Sequence, residues 1–294
     1  MTTRRRSGRR RRPCPGRARR PGLLVTLALL VTLGLALVTA CGSGGRSGPG
    51  PPPGAPGPVP TPGSLAAFLG NGVSFWDHGS FGLDRAELLP DPGAPGGTVL
   101  RVSYPKGSAS PTAARDDNAT EGGTQAYLLL DRPREAVTLR YQVRFPAGFQ
   151  FVKGGKLPGL FGGTAGSGGE HRADGFSTRF MWRTDGAGEV YAYLPEQEGY
   201  GDSLGRGSWT FPTGEWTEIA QRVELNSPGR ADGTVAVTLN GSEVFRQSGL
   251  VYRSTPDLHI DGVFFSTFFG GDDSTWASPA DQYADFAGFT LTEQ

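Results

Sequence analysis

From residue 137 to 145, apolar and polar side chains alternate without a break. Val137, Leu139, Tyr141, Val143 and Phe145 share one parity; Thr138, Arg140, Gln142 and Arg144 take the other. A period of two marks a strand with one buried face. The pattern recurs, less regularly, at 98–104, 125–130, 175–183, 189–194, 216–225, 234–239, 243–247, 262–269 and 284–291. Asn240-Gly241 separates two of these runs and predicts a tight hairpin. Beyond the N-terminal apolar run no long stretch has helical periodicity, and only a turn near 64–69 is predicted. Many short strands joined by Gly- and Pro-rich turns predict an all-β sandwich or jelly roll, without internal repeats.

The N-terminus follows different rules. Residues 1–20 hold ten Arg and no acidic residue, and an apolar run from 23 to 38 follows, broken only by Thr26, Thr32 and Gly34. A basic start, an apolar middle and a small-residue end predict an export signal over 1–40. Leu37-Val38-Thr39-Ala40-Cys41 resembles a bacterial lipobox, which would leave Cys41 as a lipid-modified N-terminus. A spanning helix needs about 20 apolar residues, slightly more than this run offers. Lipoprotein, secreted protein and membrane-anchored protein all place the remainder outside the cytoplasm, and the lipoprotein reading is preferred. Residues 41–64 are rich in Gly and Pro and read as a tether, leaving 65–294 as the folded domain.

Removing the signal changes the charge. The whole chain carries +1, but without the ten arginines of 1–20, 19 basic residues face 28 acidic ones, a net of −9. An acidic body argues against nucleic acid as a partner. Cys14 leaves with the signal, so the domain has no disulfide, thiol nucleophile or thiolate ligand. His78, His171 and His259 are far apart and read as structural or surface residues. Neither Asp116-Asp117 nor Asp272-Asp273 lies in a regular loop of oxygen ligands. Neither metal nor cofactor is expected.

Candidate chemistry starts from lysine. Only three of the 29 basic residues are Lys, and two of them, Lys153 and Lys156, lie in the segment Phe151–Leu160. Lys can give up its proton where Arg cannot. A glycine-rich surface loop with solvated charges would also explain this segment. The second candidate is 175–194. Phe176, Phe180 and Trp182 alternate with Ser177, Arg179 and Arg183, and after a turn Val190, Ala192 and Leu194 alternate with Tyr191 and Tyr193. A turn centred near Gly186 predicts Arg179 opposite Tyr193 and Met181 opposite Tyr191. Ser177, Arg179, Tyr191 and Tyr193 then share one face. An ordinary solvent-facing sheet could carry such a contact. So could a sugar groove, where aromatic faces stack on rings and Arg grips carboxylates. Trp209, Trp216 and Trp276 are further candidates for stacking, Trp216 the more so for the core.

The string Lys153-Gly154-Gly155-Lys156-Leu157-Pro158-Gly159-Leu160, the strand Phe176–Arg183 and Tyr191-Ala192-Tyr193 together resemble polysaccharide lyase family 14. Phe268-Phe269-Gly270-Gly271 and Asp281-Gln282-Tyr283-Ala284-Asp285-Phe286 extend the resemblance over roughly 95–292. It implies a β-jelly roll of two antiparallel sheets. It also implies an enzyme that cuts an acidic polyuronate, of alginate or glucuronan type, by β-elimination and leaves a 4,5-unsaturated end. Lys156 matches the family's catalytic Lys, Ser177 and Arg179 its Ser-x-Arg strand, and Tyr191 and Tyr193 its Tyr-x-Tyr strand. Lys153 and Arg183 are expected to bind substrate. Arg179, with Ser177, would neutralise the carboxylate beside C5. Either Lys156 is the base and a Tyr the acid, or a Tyr is the base and Lys156 holds charge.

The expected partner is therefore an acidic polysaccharide, acted on by a monomer whose membrane contact is confined to Cys41. Two rival readings share the fold. A carbohydrate-binding module would not need a deprotonable Lys beside an Arg and two Tyr. A glycoside hydrolase needs two carboxylates across the bond, and no such pair is apparent.

Overall fold

Each of the ten alternating runs forms a strand. The computed structural model describes residues 57–293 apart from 71, 170–172 and 196–198. The export signal, Cys41 and most of the tether lie outside the described residues. In chain order the strands are β1 (Val73–Phe81), β2 (Ala86–Pro90), β3 (Thr98–Tyr104), β4 (Ser108–Ala109), β5 (Thr120–Glu121), β6 (Thr124–Arg134), β7 (Ala136–Arg144) and β8 (Gly154–Gly163). They continue as β9 (Gly175–Arg183), β10 (Gly188–Tyr193), β11 (Asp202–Leu204), β12 (Thr217–Glu224), β13 (Gly233–Leu239), β14 (Ser242–Leu250), β15 (Ile260–Phe269) and β16 (Gln282–Thr292).

Two seven-stranded antiparallel sheets result, ordered β1-β6-β15-β8-β9-β10-β11 and β14-β13-β12-β7-β16-β3-β2. This is the expected jelly-roll sandwich. Between the sheets, Leu128, Phe180, Trp182, Val190 and Phe265 of the first meet Leu100, Leu139, Tyr141, Ile219 and Phe286 of the second, all buried. Removing this apolar surface from water is the main force holding the layers together.

Helix α1 (Pro62–Leu69) forms where a turn was expected. Thr61 caps it by accepting the Ser64 N–H at 3.2 Å, and Leu65, Ala66 and Leu69 bury its inner side. The packed fold reaches further back than residue 65: the Leu88 N–H donates to Pro58 O at 3.1 Å. Residues 58–64, read as tether, are thus part of the packed fold.

Strand β8 was the element least visible in the pattern, because Gly154–Gly163 shows no alternation and contains a Pro. It lies between β15 and β9, and all but its last residue are buried. Its glycines serve close packing. Gly155 pairs with Trp182 and Gly162 with Phe176, and a Cβ on either would stand 2.1 Å or 2.5 Å from the partner's ring. Pro158 sits in a bulge: Leu157 pairs with Phe180 and Gly159 with Arg179, leaving Pro158 as the extra residue. The Tyr141 hydroxyl, from the opposite sheet, donates to the Pro158 carbonyl at 3.1 Å. The bulge changes parity. Before it Lys156 faces away from the core and Leu157 into it; after it Leu160 faces the core and Phe161 away.

Candidate active site

The outer face of the first sheet carries a row of paired positions: Tyr127 on β6, Phe264 on β15, Gly159 on β8, Arg179 on β9 and Tyr191 on β10. The next row holds Phe268, Lys156, Met181 and Glu189. Arg179 therefore stands opposite Tyr191, Met181 opposite Glu189, and Ser177 opposite Tyr193. This corrects the expected register. The turn is centred on Asp185 (φ 58°) and is closed by the Arg183 N–H on Ala187 O at 2.7 Å. The displacement is two positions, so every side chain keeps its predicted face.

These rows floor a cleft of about 480 Å³ lined by Lys156, Arg179, Met181, Arg183, Tyr191 and Tyr193, with Phe81, Gln125, Ser167, Asp272 and Trp276 among its walls. Lys156 is 9% exposed. Its Nζ donates to Met181 Sδ at 2.8 Å and lies 3.7 Å from the centre of the Tyr191 ring. A thioether is a weak acceptor and a ring face weaker still. Burial, then the positive fields of Arg179 and Arg183, hold the amine well below its usual range, against a smaller opposing effect of Glu189.

Arg179 is 2% exposed and remains charged. Its Nη1 donates to Ser266 Oγ at 3.3 Å, and its guanidinium lies 4.4 Å from the Phe264 ring centre and 5.9 Å from that of Tyr193. Its buried Nε has no hydrogen-bond partner among the described residues. Among the described residues no carboxylate pairs with it. Arg183 differs: its Nε donates to Glu189 Oε1 at 2.8 Å, and Glu189 is fully buried. Among the described residues the cleft thus holds one balanced guanidinium and one unbalanced one.

Tyr191 and Tyr193 meet edge to face with centroids 5.6 Å apart. Burial raises the Tyr191 phenol above its usual range and keeps its proton on. The Tyr193 hydroxyl accepts the Gly169 N–H at 3.0 Å. Burial also pushes the Tyr127 phenol up to about 12, opposed by the field of Arg179.

Comparison with known proteins decides the family. The model of polysaccharide lyase 14 matches residues 93–289. This chain belongs to the polysaccharide lyase 14 family. It is accordingly a lyase that acts on polysaccharides. The structure of a marine PL-14 alginate lyase from Aplysia kurodai is 32% identical, with a TM-score of 0.67 over 81% of this chain and 98% of that one. Alginate lyase vAL-1 from Chlorella virus is 25% identical, with a TM-score of 0.68 over 78% of this chain and 96% of the other. Exolysin of Paramecium bursaria Chlorella virus 1 is 26% identical over 171 residues, 47% of this chain; the match spans 26% of the viral protein's length.

In this family member the structure brings Lys156, Arg179, Tyr191, Tyr193 and Arg183 together. Ser177 is on their face, but its buried hydroxyl donates to Gly166 O at 2.7 Å and does not line the cleft. It anchors the loop that carries Ser167 and Gly168, rather than reaching toward a ligand. Lys153 is exposed beside Trp276 and lies outside the cleft lining. Sequence reasoning passed over Met181, Ser266 and Glu189. Met181 is an apolar residue on the face of the polar Ser177, Arg179 and Arg183, Ser266 sits in a run whose two faces are both largely apolar or aromatic, and Glu189 is a lone carboxylate. Among the described residues, no three His, Cys, Asp or Glu are grouped to hold a metal ion.

Proposed function

We propose that this lyase cuts an acidic polyuronate, of alginate or glucuronan type, by β-elimination, with Lys156 as base and Tyr191 as acid. The observation that carries the reading is Arg179, a buried guanidinium with no carboxylate partner among the described residues, beside a lysine whose amine burial and two arginines hold well below its usual range. The proton at C5 of a uronate resists removal while the adjacent carboxylate keeps its full charge. Arg179 would take that carboxylate and stabilise the enolate-like state that follows. The neutral amine of Lys156 then removes the C5 proton. The C5–H electron pair forms the C4=C5 double bond as the C4–O bond breaks. The departing oxygen takes the phenolic proton of Tyr191. Proton transfer from the Lys156 ammonium back to the Tyr191 phenolate, directly or through water, restores the site. Tyr191 is unsuited to the base's role because its environment opposes the phenolate. The similarity to alginate lyases supports a substrate of this class. Among the described residues the lining offers one acidic side chain, Asp272, where glycoside hydrolysis would require two.

We also propose, on the export signal and lipobox alone, that the domain works outside the cytoplasm on a lipid-modified Cys41. The test of activity is to incubate the protein with alginate blocks, glucuronan, pectate and hyaluronan while following ultraviolet absorbance of the conjugated end. Rising absorbance with one polymer names the sugar. New reducing ends without absorbance would mean hydrolysis, and binding without either product a non-catalytic module.

A further inference from the structure

Trp276 lines the cleft of Lys156 and Arg179 yet has no part in the chemistry above. Its indole rests on bare backbone. A Cβ on Gly271 would lie 2.1 Å from Trp276 Cγ, and Gly271 has a φ of +81°, so a side chain there is excluded twice over. The segment is held in place before any ligand arrives. Ser110 Oγ donates to Gly271 O at 2.6 Å, the Ser274 N–H to Asp117 Oδ2 at 2.7 Å, and the Thr275 N–H to Asp273 Oδ1 at 2.8 Å.

Two cations flank the ring. Lys153 Nζ and the Arg183 guanidinium each lie 5.7 Å from its centre. Arg183 is neutralised by Glu189. Lys153 hydrogen-bonds the neutral hydroxyl of Thr275. Asp273, the acidic group nearby, accepts from the Thr275 N–H and hydroxyl and feels the field of Lys153 across that bridge. Arg183 also lies 5.5 Å from the Tyr191 ring centre, so it bridges the reacting centre and the indole. Along the wall the order is Tyr191, Arg183, Trp276, Lys153.

We propose that Trp276 and Lys153 form a subsite for a uronate residue neighbouring the one that is cut. The indole would stack on the C–H face of the sugar ring, and the Lys153 ammonium would take its carboxylate. The inference rests on the polyuronate reading above. A fixed aromatic platform with a cation at its rim suits a sugar acid better than a neutral sugar, and residues 21–294, with 19 basic residues against 28 acidic ones, need such local positive charge to hold a polyanion.

The test measures kcat and KM on the polymer that wild type cuts, for Trp276→Ala, Trp276→Phe and Lys153→Ala. Trp276→Ala is expected to raise KM about tenfold with kcat changed less than about threefold, and Trp276→Phe to recover most of the loss. Lys153→Ala should raise KM at low ionic strength and match wild type at high salt. An unchanged KM in Trp276→Ala overturns the subsite, as does a fall in kcat at constant KM, which would make the indole a support for Arg183. Should Trp276→Ala fail to fold, Trp276→Phe and the exposed Lys153→Ala still decide: wild-type KM in both at low salt overturns the proposal. A wild type that yields no unsaturated ends from any polyuronate refutes the function itself, whereas active wild type with unaltered variants refutes the subsite alone.

Discussion

The amine of Lys156 rests on the face of Tyr191, 3.7 Å from the ring centre, with its hydrogen bond going to a sulfur and not to an oxygen. The ring can stabilise an ammonium but cannot take its proton, and the hydroxyl lies at the ring's far end. One tyrosine thus supports the base through its face and can offer an acid through its edge. A buried Lys with a carboxylate against it would stay charged; this one is placed so that it need not.

Lys156→Ala should therefore bind the polymer and fail to cut it. General-base groups contribute roughly 10²–10⁴ in rate, and a loss of that order in kcat is expected. Lys156→Arg should be as inactive, since it keeps a charge but cannot release a proton. Absorbance kinetics and calorimetric binding on the same preparations check both; full turnover in either variant removes Lys156 from the role.

The pH profile follows from the two shifts. Activity needs a neutral Lys156 and a protonated Tyr191. It should rise as pH climbs through the lowered Lys156 value, below 10.5, and hold until the Tyr191 phenol ionises above 10. Lys156→Ala should abolish the rising limb of kcat/KM in whatever residual activity it retains. A rising limb that survives belongs to another group.

The same shift bears on stability. The folded value of Lys156 is depressed, so between it and 10.5 the unfolded chain binds the extra proton. Stability gained from this group rises with pH across that window. Lys156→Met should unfold at a higher temperature than wild type at neutral pH, and the gap should narrow as pH approaches 10.5. A gap that widens with pH would contradict the assigned direction.

For Arg179 the expectation is loss without substitution by Lys. Removing one donor that stabilises developing negative charge costs about 10²–10³ in kcat. Arg179→Lys should recover little, because the planar fork that grips a carboxylate is gone. Steady-state kinetics on the preferred polymer would reveal a rescue if a point charge were enough.

Ser177→Ala separates anchoring from catalysis. Losing the bond to Gly166 O should cost about 1 kcal/mol, read from denaturant unfolding. Turnover should stay within about tenfold of wild type, far from the loss expected for a group that assists the chemistry. A kcat defect matching that of Arg179→Lys would return Ser177 to the reacting centre.

The sandwich was legible because half-buried strands announce themselves by parity, as Val137–Phe145 does. The site face was legible for the same reason: Arg179 and Tyr191 alternate with Phe180 and Val190, and their company survived a turn centred one residue from where it was expected. Strand β8 was not legible. Gly155 and Gly162 are small because Trp182 and Phe176 need the room, a requirement set by a different segment of chain. Trp276 was visible as a residue, but its place depended on Gly271, five positions away across a loop, and on Gly154 in β8.

Pro158 gives the protein a reading frame in space. Lys156 and Leu160 are an even number of residues apart, yet one serves the cleft and the other the core. They do so because one residue between them is skipped by the pairing. Deleting that residue would leave every side chain of chemical interest present and remove the bulge against β9. It would also force a choice: either the amine is turned into the sandwich or the leucines after it are turned out. The chemistry of this surface thus depends on a count as well as on a composition, and lineages that keep the function should vary the letters of this segment more freely than its length.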